Sequence, residues 1–92
     1  MNITVNFLGL LKEHIGRESV TFALDKDASF GDVLAEINHR YGERLPAGLW
    51  DHKKLEFRPG ILCVGEGRDL ETKDTLLKDG EIISIAVHMA GG

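Results

Sequence analysis

With 92 residues the chain has room for one domain around a single core, and 42% apolar with 28% charged residues is the composition of a globule that folds. The net charge of −4, from 15 acidic and 11 basic residues with no basic block, argues against a nucleic-acid binder. No apolar run nears the roughly 18 to 20 residues of a membrane span, and the N-terminus lacks the basic start and apolar core of a signal sequence, so no membrane association and a cytoplasmic location are expected. The single Cys63 cannot form an internal disulfide and agrees with a reducing compartment.

Ile3, Val5 and Phe7 alternate with Asn2, Thr4 and Asn6, the period-two pattern of a strand with one buried face. A connector over Gly9 to Gly16, with a short helical turn at Leu10 to His14, leads to a second alternation at Val20, Phe22 and Leu24, which reads as a hairpin with a generous loop. Ser29 then precedes Phe30, Val33, Leu34, Ile37 and Tyr41, whose spacing puts all five on one side of a helix. Ser29 is its expected N-cap, Asp32 completes an approximate capping box, and Gly42 is its expected C-terminal stop.

From Glu43 to Gly60 the pattern breaks into a long connection punctuated by Pro46, Gly48, Pro59 and Gly60, with Leu45, Leu49 and Trp50 as expected anchors to the core. Ile61 to Val64 is a third strand, Gly65-Glu66-Gly67 a tight turn, and Arg68 to Leu70 a short fourth strand. Lys78-Asp79-Gly80 is a further turn before a last strand in which Ile83, Ile85 and Val87 alternate with Ile82, Ser84, Ala86 and His88. No internal repeat or linker divides the chain, so residues 1–92 form one domain with a flexible tail at 89–92.

One helix with an apolar stripe can bury it only by crossing the sheet, so the expected fold is α+β, a ubiquitin-like β-grasp with a mixed sheet of four to five strands. Its first and last strands pair side by side in the middle. On the sheet face away from the helix the alternation exposes Leu62 and Val64 beside Ala86 and His88, with Ile82 at the far end. Such an apolar patch marks a partner-binding surface, whereas a register shifted by one residue would put the same side chains in the core.

The sequence resembles the MoaD and ThiS family of ubiquitin-like sulfur carriers, and its MoaD side more closely. The resemblance runs the length of the chain through Ser29-Phe30-Gly31-Asp32-Val33-Leu34, Arg58-Pro59-Gly60-Ile61-Leu62, Leu77-Lys78-Asp79-Gly80 and the terminal Ala90-Gly91-Gly92. It departs at Val64-Gly65-Glu66-Gly67, where such proteins often read Val-Asn-Gly, and at Val87-His88, where some carry prolines. The resemblance implies that an ATP-dependent activating enzyme of the MoeB or ThiF type adenylates Gly92, and that sulfur then replaces AMP to give a thiocarboxylate. A sulfur-consuming enzyme, foremost the molybdopterin synthase large subunit, uses that sulfur for the molybdenum or tungsten cofactor.

Two glycines suit such a tail, because without Cβ atoms they pass a narrow channel and accept backbone angles closed to other residues. Gly92 would supply the reacting carboxylate and Gly91 the clearance, with Met89 and Ala90 joining the partner contact. A glycine pair could also be no more than a frayed end. The chain itself would be a carrier rather than an enzyme, with no bound cofactor, ATP and sulfur being handled by the partner. The alternatives are a protein modifier joined through Gly92 to target lysines, a carrier for thiamine, sulfur amino acid or transfer-RNA thiolation, and a non-covalent adaptor.

Other residue types point to no further chemistry. His14, His39, His52 and His88 lack metal-site spacing. Cys63 falls at an inward position, where core packing outweighs reactivity. Asp25, Asp27, Asp74 and Asp79 occupy turns, and Lys12, Lys53, Lys54, Lys73 and Lys78 read as solvated surface.

Overall fold

The computed structural model describes residues 1–87. In chain order its elements are β1 (Asn2–Leu8), α1 (Leu10–Ile15), β2 (Ser19–Ala23), α2 (Phe30–Tyr41), β3 (Trp50–Asp51), β4 (Glu56–Phe57), β5 (Ile61–Gly65), β6 (Arg68–Asp69) and β7 (Ile82–Val87). The alternation in β1 becomes a pleat whose odd residues Ile3, Val5 and Phe7 are fully buried. Antiparallel β2 sets Val20 and Phe22 beside them, and parallel β7 adds Ile83 and Ile85. The five-stranded sheet runs β2-β1-β7-β5-β6, so β1 and β7 form its centre, as the sequence leads one to expect.

Helix α2 crosses this inner face and buries Phe30, Val33, Leu34, Ile37 and Tyr41. Each such side chain removed from water is worth roughly 1.5 to 3 kcal/mol. Its start is fixed by a complete capping box: the Ser29 hydroxyl accepts the Asp32 N–H, and the Asp32 carboxylate accepts the Ser29 N–H at 2.8 Å. The next amides, of Phe30 and Gly31, donate to the carbonyls of Thr75 and Lys73, which ties the segment before β7 to the helix start. Tyr41 meets Phe7 edge-on, and the Arg40 guanidinium lies 4.8 Å over the Phe22 ring.

The helix ends at Tyr41 with Gly42 as its C-cap, as expected, but not through a left-handed residue. Gly42 has φ −53° and leads into a 3-10 turn over Gly42–Arg44. Glycine is needed there for space, because a Cβ would stand 2.6 Å from the Asn38 Oδ1 that accepts the Trp50 indole N–H. Of the expected loop anchors, Trp50 and Leu45 are buried and Leu49 is partly so.

The long connection is also more ordered than its composition suggests. β3 and β4 form a two-residue ribbon in which Trp50 packs edge-on against Phe57. Asp51 closes it by accepting the Lys53 and Lys54 N–H groups, and these two amides, with help from Arg58, hold its carboxyl below the usual range against the opposing effect of burial. β5 reaches one residue further than expected, to Gly65, so the turn is Glu66-Gly67 with Gly67 at φ 72°. β6 correspondingly ends at Asp69. α1 lengthens the expected turn to Ile15, burying Leu11 and Ile15, and ends on Gly16 in the left-handed region.

Candidate functional site

β7 brings together the elements that bear on function, and both of its ends are defined. At its start Glu81 is 1% exposed, at the inward parity of Ile83 and Ile85. Its carboxylate takes Arg68 at two points, Oε1 from Nη2 at 2.7 Å and Oε2 from Nε at 3.2 Å, and accepts the N–H groups of Lys78 and Glu66. Arg68 also donates to the Leu76 carbonyl. Burial would raise the Glu81 carboxyl, but Arg68 and the two amides outweigh it and hold it below the ordinary range. To reach Arg68 in β6, the Glu81 side chain lies across Gly65 of β5, where any Cβ would collide with the carboxylate.

At the other end β7 delivers Val87 opposite Ile61. There the outer sheet face carries a row across three strands: Leu8 of β1 is paired with Ala86, and Ala86 with Leu62 of β5. Leu8 is 47% exposed and Leu62 49%, too much surface for side chains that belonged to the core. Val64 lies further along β5 opposite Ser84, half-buried, and Ile82 is exposed at the far end. The outward register is thus the one adopted. Leu62, Val64 and Ala86 share a face, whereas His88, Met89, Ala90, Gly91 and Gly92 lie outside the described residues.

Leu8 is the addition to the expected patch. It continues the outward parity of Asn2, Thr4 and Asn6 and is the one apolar residue of that series, which is the signal that marks it. The Arg68–Glu81 pair was not anticipated either, although an acid at an inward strand position calls for a buried cation partner.

Cys63 faces inward as expected, half-buried against the core, and burial pushes its thiol up to about 12. Among the described residues no group of three or more His, Cys, Asp or Glu side chains is placed to hold a metal ion, and no helix is long and apolar enough to cross a membrane.

A mixed five-stranded sheet crossed by one main helix, with β1 and β7 parallel at its centre, is the ubiquitin-like β-grasp. No protein-family model matches the chain. Over its whole length, however, the chain is 30% identical to small archaeal modifier protein 3 of Haloferax volcanii and covers all of that protein. It therefore belongs to the small archaeal modifier proteins. The crystal structure of SAMP1 from Haloferax volcanii shares the fold at TM-score 0.81 and 18% identity, with both chains fully covered. So does a structure of the complex of subunits 1 and 2 of molybdopterin-converting factor from Helicobacter pylori, at TM-score 0.65 and 20% identity over the whole of both chains.

Proposed function

We propose that this chain is a sulfur carrier that works through Gly92. The observation that carries the reading is the arrangement of β7: the Arg68–Glu81 pair anchors its start, and its far end lies beside a row in which exposed Leu8 and Leu62 flank half-buried Ala86. A partner seated on that row would stand where the chain continues toward Gly91-Gly92, so docking and delivery of the tail become one event.

A partner of the MoeB or ThiF type would bind ATP, and the Gly92 carboxylate would attack its α-phosphorus with pyrophosphate leaving. Hydrosulfide would then attack the acyl carbon, AMP would leave, and the carrier would hold a thiocarboxylate. The chain supplies recognition and the reacting end, binds no cofactor of its own and is not an enzyme. The pathway to which the resemblance points is molybdopterin synthesis, with the large subunit of molybdopterin synthase consuming the sulfur.

A second reading is favoured by the name of the relative just described, a modifier protein. In it a target lysine amine attacks the same adenylate, AMP leaves, and Gly92 is joined through an isopeptide bond. The intact mass of the protein after incubation with its host's extract, ATP and a sulfur source separates the readings. A gain equal to sulfur replacing oxygen, absent when Gly92 is deleted, supports the carrier; heavier conjugates that need Gly92 support the modifier. Neither change would overturn both and leave a non-covalent adaptor.

A further inference from the structure

A second surface lies on the opposite side of β5 from β7. On one side β5 is paired from Ile61 to Val64 with β7, but on the other β6 covers only Val64 and Gly65. The Leu70 N–H still donates to the Cys63 carbonyl at 2.8 Å, and there the chain turns away. Among the described residues no strand lies beside Ile61 and Leu62 on that side. The Ile61 N–H turns back to the Arg58 carbonyl at 3.3 Å, and this strand-free edge borders an open groove of about 400 Å³, walled by Phe30 and Leu34 of α2, by Phe57 and by Leu70.

The rim of the groove is charged unequally. Glu56, Asp69, Glu71 and Lys73 line it. The Lys73 ammonium is held by Glu56 at 3.5 Å and by the Lys54 carbonyl. Asp69 and Glu71 are exposed and form no ion pair among the described residues. An apolar channel beside an open strand edge, with two uncompensated carboxylates on its lip, has the features of a strand-addition site for a cationic segment.

We propose that this groove receives an extended segment of a partner protein in which apolar and basic residues alternate, added as a strand beside Ile61–Cys63. Its apolar side chains enter between α2 and β5, and its basic ones meet Asp69 and Glu71. A second copy of this chain fits poorly, because it brings the same two carboxylates to the same edge. The site is distinct from the outer face, so one partner could hold the strand edge while another takes the tail.

The probe is a short blocked peptide of alternating valine and arginine, titrated into the isotope-labelled full-length protein. Amide shifts should concentrate at Ile61, Leu62, Cys63 and Leu70, and the Cys63 amide should exchange more slowly with solvent. The Asp69→Lys/Glu71→Lys variant, whose amide spectrum reports whether it still folds, should bind about tenfold more weakly. On the unaltered protein a valine–glutamate peptide should bind much more weakly, as should a valine–arginine peptide methylated at its backbone nitrogens. Absence of shifts with the valine–arginine peptide overturns the proposal. So do shifts centred on Leu8 and Ala86, or equal binding of either control peptide.

Discussion

Arg68 grips Glu81 at two points across Gly65, so the first residue of the short edge strand β6 is tied to the residue immediately before the central strand β7. The pair lies at the end of the sheet opposite Val87 and fixes where β7 begins. Because strand side chains alternate, a one-residue slip of β7 would turn Ile83 and Ile85 outward and Ala86 inward. A slipped register would also leave the Glu81 carboxylate without its four donors.

Arg68→Ala should therefore destabilise the protein by about 3 kcal/mol, since it leaves a buried carboxylate short of its counter-ion. Urea unfolding followed by circular dichroism measures this. Replacing both partners, as Arg68→Met with Glu81→Leu, should restore much of the loss. A double variant no better than Arg68→Ala would mean that the two amides, rather than the ion pair, dominate.

The same carboxylate gives stability a pH dependence of known sign. Its pKa in the folded protein lies below the ordinary carboxylate value of 4.5, so the folded state holds fewer protons than the unfolded chain in that range. The contribution is complete above 4.5 and fades as pH falls through the lower folded value. Urea midpoints measured from neutral pH downward should show an acid loss that is smaller in Glu81→Gln, which has no carboxyl to protonate.

Gly65→Ala should cost about 2 kcal/mol, because its Cβ meets the Glu81 carboxylate and pushes it off Arg68 and the Glu66 amide. Gly48→Ala is the control, since a Cβ there has nothing within 4 Å. The cost at position 65 should shrink in a Glu81→Ala background, and a double-mutant cycle on urea midpoints tests that coupling.

On the outer face, Leu62→Asp should leave the urea midpoint within about 0.5 kcal/mol of the parent, because the side chain it replaces is already exposed. Yet it should strongly reduce the ATP-dependent change in intact mass described above. Unaltered conversion would remove the Leu8, Ala86 and Leu62 row from the proposed partner contact.

Cys63 should be slow to alkylate in the native protein. Burial raises its thiol to about 12, so little thiolate exists near neutral pH. Iodoacetamide labelling followed by mass should run at least about a hundredfold slower than in urea. Fast native labelling would show that the Cys63 thiol is not shielded from solvent.

Much of the fold was legible because its signals are local. The alternation at Ile3, Val5 and Phe7 states which face of β1 is buried, and the spacing from Phe30 to Tyr41 states which side of α2 is. Gly42 does follow the last residue of α2, but for a spatial reason the sequence does not show: it makes room for Asn38, which holds Trp50, and has no positive φ. The β3–β4 ribbon was hidden because each strand has only two residues, too few to display a period.

The candidate site divides along the same line. By itself the sequence determined the strand-and-helix order, the inward and outward sets of the last strand, and the terminal glycines, since each depends on neighbours along the chain. The tertiary structure alone decided that Leu8 joins Ala86 and Leu62, that Arg68 reaches Glu81 over Gly65, and that β6 pairs only with Val64 and Gly65 of β5. Those relationships join residues brought side by side by strand pairing, and pairing is set by how the whole inner face packs against α2.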